Sequence, residues 1–114
     1  MKIYHLKSCD TCRKAIKALQ AVGHAPDLHD VRADGLDMAT LTALENALGF
    51  EALVNKRSTS WRGLSEAQKD GLNREAALEL LEQNPTLMKR PVIQQDGHMT
   101  IGWTKAVQET YGVS

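Results

Sequence analysis

The sequence carries no excess charge of either sign: 14 Lys and Arg balance 14 Asp and Glu. Such a chain has no long-range field to draw it to nucleic acid or to an anionic membrane, so neither is expected as a partner. Long apolar runs are missing too. No stretch approaches the roughly 20 residues that span a bilayer, and no apolar signal region leads the chain, so a cytoplasmic location is expected. Internal repeats and low-complexity segments are lacking, and 114 residues suit a single domain with one real core. Cysteine is scarce, with two residues in the whole chain. One bridge across a two-residue gap closes almost no loop, which argues against a disulfide scaffold. A structural zinc site wants four ligands, and no second Cys-x-x-Cys or His-x-x-x-His follows the first pair. No metal is expected.

What the chain does have is concentrated in Tyr4-His5-Leu6-Lys7-Ser8-Cys9-Asp10-Thr11-Cys12-Arg13-Lys14. Before it, Lys2 to Leu6 alternates polar and apolar as a strand does. From Asp10 onward, Cys12, Ala15, Ile16, Leu19 and Val22 recur at helical spacing, and Gly23 supplies a stop. Cys9 is therefore expected at or just before a helix N-terminus, with Cys12 in the first turn. Unpaired backbone N–H groups and the helix dipole favour negative charge there, so the Cys9 thiolate gains over the thiol. Cys12 is close enough to attack a mixed disulfide formed on Cys9, and a low-pKa thiol with a resolving partner is a redox device. A buried structural pair competes with this reading, as does zinc bound by Cys9, Cys12 and His5. His5 has two readings of its own, a base for Cys9 or plain packing.

The rest of the chain reads in order. Ala25 to Val31 is a second strand, parallel to the first, with Leu28 and Val31 apolar and Pro26 at its tolerated start. His24 and His29 read as surface residues. Leu36 to Leu48 is a helix with Leu36, Leu41, Leu44, Ala47 and Leu48 as its stripe, Asp37 as cap and Gly49 as stop. Phe50 to Val54 is a short apolar piece. Residues 55–63 lack periodicity and read as a loop with Trp61 pinned to the core, or as a site where arginines and hydroxyls hold an oxyanion or carboxylate. Ser65 opens a helical turn, and Asn73 caps a helix through Gln83 with Ala76, Ala77, Leu80 and Leu81 inward. Pro91 opens a third strand, Asp96-Gly97 turns it into a fourth, His98 to Ile101, and Thr104 to Tyr111 closes the chain as a helix. Its inward residues read as Ala106, Val107 and Tyr111. The fold class expected is α/β, a thioredoxin-like core of β-α-β and β-β-α with a mixed four-stranded sheet. A helical subdomain is inserted at about residues 34–89 of a single domain, 1–114.

These segments together resemble the arsenate reductase (ArsC)/Spx family, and most closely its small YffB-like branch. The matching pieces are Ser8 to Ala15, Asp30 to Gly35, Asn55-Lys56-Arg57 with Trp61-Arg62, Asn84 to Val92, and Ile101-Gly102-Trp103. The resemblance places Cys9 on the family's nucleophilic cysteine and Arg90-Pro91 on its Arg-Pro step, with a cis bond expected between them. Arsenate reductases of the family hold their oxyanion with three arginines. Here Arg90 fits one position, Asn55 stands at another with Arg57 two residues on, and the third falls near Gly102, where there is no arginine.

The resemblance thus implies a thiol-disulfide oxidoreductase with glutathione as co-substrate and no bound cofactor. Cys9 is the expected nucleophile and Cys12 the resolving thiol. Arg57, Arg90, Pro91, Asn55 and Arg13 are the expected substrate contacts, with Arg13 and Lys14 also biasing Cys9 towards thiolate. The expected partners are glutathione or another thiol or disulfide, and glutaredoxin; a monomer is expected. Two alternatives follow from the same family. One is arsenate reduction. The other is an Spx-like redox switch that binds the RNA polymerase α subunit. Those regulators continue past their last helix with a basic extension, and the present sequence stops at Ser114, so the enzyme is the expected reading.

Overall fold

In the computed structural model, which describes Met1–Ser114, the chain runs through four strands and seven α-helices. In order these are β1 (Lys2–His5), α1 (Asp10–Ala21), β2 (Asp27–Asp30), α2 (Met38–Leu48), α3 (Phe50–Leu53), α4 (Thr59–Arg62), α5 (Glu66–Asp70) and α6 (Arg74–Gln83). A 3-10 turn at Pro85–Leu87 follows, then β3 (Val92–Gln95), β4 (His98–Ile101) and α7 (Lys105–Thr110). The residues divide into two units, one of Met1–Ala33 with Arg90–Ser114, the other of Asp34–Lys89.

The first unit is built on a mixed sheet in the order β2-β1-β3-β4. β1 pairs with β2 in parallel, Ile3 beside Leu28, and with β3 in antiparallel, Ile3 beside Ile93. A parallel pair needs a crossover, and α1 supplies it. β1 was expected to alternate, yet Ile3, Tyr4 and His5 are all buried. A central strand covered on both faces has no wet side for its polar residues. Asp96 (φ 52°) and Gly97 (φ 77°) turn β3 into β4 with the positive φ values that a tight hairpin requires.

Ile3, Leu19, Ile93 and Tyr111 form the core of this unit, with Ile16, Trp103 and Val107 packed around it. Cys12, Ala15 and Leu19 are the buried stripe of α1. Val22 is not on it; the helix has already ended there, and the side chain is 47% exposed. Leu28 is also off the core, 44% exposed on the edge strand β2. Ala106 is exposed, leaving the inward contacts of the last helix to Val107 and Tyr111. His24 and His29 depart from the surface role expected of them. His24 Nε2 donates to the Tyr111 carbonyl at 2.8 Å, and the His29 ring lies 5.1 Å from that of Tyr4.

The second unit is helical and is organised by side-chain caps. The Asp37 carboxylate accepts from the Thr40 amide at 2.7 Å, and Asn73 Oδ1 from the Ala76 amide at 2.8 Å. Ser65 and Gln68 close a reciprocal capping box at the start of α5. Leu41 and Leu44 of α2 and Ala77, Leu78, Leu80 and Leu81 of α6 are the buried faces of two packed helices. Glu45 and Arg74 join them at 2.9 Å. Ala47 is exposed and Ala76 only half-buried, so the two stripes are narrower than the spacing predicts. Residues 55–63 are not wholly irregular: Ser58 Oγ accepts from the Trp61 amide at 3.1 Å and starts the single turn of α4. Four residues hold no full apolar period, so this turn leaves no periodic trace. Trp61 is half-buried rather than pinned in the core, with the ammoniums of Lys56 and Lys69 at 5.7 and 5.9 Å from its ring.

Candidate active site

Between β1 and α1 the chain makes a short turn, closed by the Cys9 amide donating to the Leu6 carbonyl at 3.0 Å. Cys9 then occupies the N-cap position in extended backbone (φ -88°, ψ 115°), and no side chain caps the helix. Cys12, three residues on, is fully buried, whereas Cys9 is half-buried; both are free thiols. The turn is anchored from a distance. Lys7 donates its amide to the Asp30 carboxylate at 3.0 Å, and the amides of Arg32 and Ala33 donate to its other oxygen at 2.9 Å each. The Val31 amide adds a bond to the His5 carbonyl at 2.8 Å. Asp30 is 6% exposed, and its carboxyl is held below the usual range. The Ala33 amide is the largest cause; the Lys7 and Arg32 amides and the His5 charge add to it against the opposing effect of burial. The sequence reading gave Asp30 no role, although an acid ending a strand just before a turn is placed to collect amides.

The two thiols are pushed apart electrostatically. Burial works against the Cys9 thiolate, but the Cys12 amide, the Cys12 thiol and the Arg90 guanidinium together outweigh it and lower the Cys9 pKa. Cys12 moves the other way. Burial pushes its thiol up to about 12, aided by hydrogen bonding to Cys9 and by the Cys9 charge, with the Leu6 backbone and Arg90 opposing. The pair therefore ionises at Cys9 and keeps its proton on Cys12. Arg90 acts on both sulfurs. It precedes Pro91 across a cis bond, as expected, and Pro91 is fully buried.

The remaining expected site residues lie as follows. Arg13 pairs with Asp10 and donates to the Lys7 carbonyl at 3.1 Å; it is exposed and is not among the groups that lower the Cys9 pKa. Asn55 and Arg57 belong to the helical unit. Asn55 Oδ1 accepts from the Arg57 amide at 3.0 Å, and both residues line a cavity of about 530 Å³ with Glu51, Lys56 and Lys89. His5 is buried, and its charge acts on Asp30. No group of three His, Cys, Asp or Glu is arranged to hold a metal ion. Gly102, at or near which the resemblance puts the third arginine, is buried with φ 81° and donates its amide to the Pro91 carbonyl at 2.9 Å. A side chain there would strain the backbone.

Comparison with known proteins places this arrangement. The ArsC family pattern matches residues 4–110. An uncharacterized protein of Haemophilus influenzae is 48% identical over 103 residues, 90% of each chain. The global transcriptional regulator Spx of Streptococcus agalactiae is 30% identical over 102 residues, which are 86% of this chain and 72% of the regulator. Among solved structures, a YffB protein superposes with a TM-score of 0.90 at 33% identity, covering 96% of both chains. An arsenate reductase (ArsC) related protein of Brucella melitensis gives 0.78 at 34% identity, covering 96% of this chain and 92% of its own.

Proposed function

The chain belongs to the ArsC family, and we propose from that premise that it is a glutathione-dependent thiol-disulfide oxidoreductase, working as a monomer in the cytoplasm. Cys9 is the nucleophile and Cys12 the resolving thiol. The observation that carries this reading is the placement of the two thiols, Cys9 half-buried at the uncapped start of α1 and Cys12 fully buried three residues on, an arrangement that lowers the Cys9 pKa and raises that of Cys12. A thiolate beside a protonated, buried thiol is the starting state for disulfide exchange.

In the first step the Cys9 thiolate attacks one sulfur of a substrate disulfide. A bond forms between Cys9 and that sulfur, the substrate S–S bond breaks, and the second sulfur leaves as a thiolate that takes a proton from water. Cys9 is then uncharged. One influence that held the Cys12 proton, the Cys9 charge, is gone, while Arg90 still favours a thiolate. Cys12 gives up its proton and attacks the Cys9 sulfur; the bond from Cys9 to the first substrate sulfur breaks, that sulfur leaves as a thiolate that takes up a proton, and a Cys9–Cys12 disulfide remains. Two glutathione molecules restore the thiols: one attacks to form a mixed disulfide, and the second displaces it as glutathione disulfide. Overall one substrate disulfide becomes two thiols, and two glutathiones become one disulfide.

Ultraviolet thiolate titration of the wild type, Cys9→Ser and Cys12→Ser tests the premise. Cys9 should titrate well below about 8.5, the free-thiol value. In a glutathione-linked disulfide assay Cys9→Ser should be inactive, and equal rates for the two proteins would sink the mechanism. Arsenate reduction is the less favoured enzyme activity. A dianion needs several donors on desolvation, and Gly102, with φ 81°, holds a backbone conformation that an arginine would adopt only under strain. Glutathione-coupled arsenate turnover that disappears in Arg90→Ala would reverse this preference.

The likeness to Spx regulators favours one further reading, a redox switch in which the Cys9–Cys12 disulfide alters α1 and with it a partner surface. Retention of the RNA polymerase α subunit that changes with oxidant would support it. No retention in either redox state would remove it.

A further inference from the structure

β1 and β2 pair in register as far as His5 beside Asp30, and β1 stops there. The chain then turns at once. Leu6 to Cys9 is a tight turn, closed by the Cys9 amide on the Leu6 carbonyl at 3.0 Å, with Lys7 and Ser8 exposed at its centre. The Lys7 amide takes no part in that closing bond. It donates to Asp30 Oδ2 at 3.0 Å, so a side chain continues the tie between the strands past the point where backbone pairing stops. The two oxygens of Asp30 are used differently. Oδ1 accepts from the Arg32 and Ala33 amides, two and three residues on, at 2.9 Å each, a local turn of the kind Asp makes readily. Oδ2 reaches 23 residues back, to the turn that carries the nucleophile. One oxygen is enough for the local turn; the second, buried with it, serves the cysteine turn.

We propose that Asp30 is a positioning residue for thiol-disulfide exchange: through the Lys7 amide, its Oδ2 holds the turn that sets the Cys9 sulfur against Cys12 and Arg90. The role rests on Cys9 as the nucleophile. The groups that favour the Cys9 thiolate are the Cys12 amide and thiol and the Arg90 guanidinium, and a displacement of about 1 Å is enough to lose contacts of that kind. The sign of the effect separates positioning from electrostatics. Asp30 is an anion, so removing its charge would by itself favour the Cys9 thiolate. Loss of positioning does the opposite: the sulfur leaves the groups that stabilise its charge, and its titration moves up.

Asp30→Asn and Asp30→Ser provide the test, because each keeps an oxygen for the Arg32 and Ala33 amides. In the first, a side-chain amide donor then faces the Lys7 donor; in the second, the shorter side chain does not reach it. Ultraviolet thiolate titrations and pH–rate profiles with the uncharged disulfide dithiodipyridine are compared with those of the wild type. The Cys9 titration should rise in both variants. For each pH unit of rise, the thiolate present on the acid side falls about tenfold while its intrinsic nucleophilicity grows about threefold. Exchange should then be about threefold slower below the titration and about threefold faster above it, so the profiles cross. Leu81→Val, at a fully buried position of the helical unit, should lower stability and leave the profile in place. A Cys9 titration that stays in place or falls in either folded variant overturns the proposal and leaves Asp30 a structural residue. Failure of the nucleophile reading looks different: the wild type itself would react with dithiodipyridine no faster than an ordinary thiol.

Discussion

α1 of the sheet unit starts differently from the other helices: apart from α3, which follows Gly49, all of them carry a side-chain cap, α7 at Thr104 included. In the helical unit the N-caps of α2, α4, α5 and α6 are Asp37, Ser58, Ser65 and Asn73, and every one accepts a backbone amide through its side chain. In the sheet unit the longest helix, α1, begins at Cys9 with no such bond. Its first turn is left with amides that favour a negative sulfur, and the Cys12 amide is among the groups that lower the Cys9 pKa. Local caps hold the helical unit. The sheet unit omits the cap where the chemistry is and is held instead by long-range polar ties such as Asp30 to Lys7, 23 residues apart. Stability in one unit is written in neighbours; in the other, reactivity is gained where a neighbour's bond is withheld.

The largest test of this contrast is Asp30→Ala. It strands three amides that now share one carboxylate in part-buried bonds, at about 1–3 kcal/mol for each that water does not reach. A loss of about 3 kcal/mol at neutral pH is expected from denaturant unfolding. A loss no greater than that of a cap substitution would break the comparison. The wild-type contribution also has a pH signature. The folded Asp30 pKa is depressed below 3.8, so its stabilisation is present above that value. It is lost as pH falls below 3.8 towards the folded pKa, and Asp30→Ala should flatten that acid limb.

The next effect is alkaline and belongs to Cys12. Below pH 9 its thiol is protonated whether the chain is folded or not. Between 9 and about 12 the unfolded chain ionises it and the folded chain does not. The unfolded state then binds fewer protons, and stability falls as pH rises, by up to about 1.4 kcal/mol per pH unit. Cys12→Ala should remove this slope between pH 9 and 10.5. An unchanged slope would place the buried thiol's resistance to ionisation elsewhere.

What the sequence disclosed follows the same division. Asp37, Ser65 with Gln68, Asn73, the Asp96-Gly97 turn and the place of Cys9 before a helix were legible because each is set by residues within four positions of one another. The element order and the strand directions followed from them. The ties that lie far apart in sequence were not legible. Asp30 reaches back to Lys7, and His24 meets the Tyr111 carbonyl across 87 residues. Nothing near either residue announces its partner. Leu28 looked like core because apolar character is local, but its exposure is decided by β2 lying at the sheet edge. Arg13 is a different case: its pairing with Asp10 at i, i+3 was readable from spacing alone, and it explains why that guanidinium is engaged away from Cys9.

A smaller effect is expected in the helical unit. Asn73→Ala removes the bond to the Ala76 amide and should cost about 1 kcal/mol, the usual value of a cap. The ultraviolet titration of Cys9 should be unchanged, since the groups that set it all lie in the sheet unit. A shift in that titration would tie the thiolate to the helical unit and blur the contrast.

The smallest effect has the opposite sign. Cys9→Ser places a good capping hydroxyl where α1 now lacks a side-chain cap, so it should abolish exchange chemistry and yet stabilise the protein by about 0.5–1 kcal/mol. The gain should depend on pH. When Cys9 is a thiol it accepts amides poorly, and serine is the better cap. Once Cys9 ionises, the sulfur itself takes up the charge-favouring position at the helix start. A depressed folded pKa adds stability as the thiolate forms, so the advantage of serine should shrink as pH rises through the Cys9 titration. Unfolding curves of both proteins on either side of that titration measure it. A gain that does not vary with pH would mean that the uncapped turn and the lowered thiol are unrelated; a gain that closes as the sulfur ionises would mean that the missing cap and the reactive thiolate are one feature of the fold.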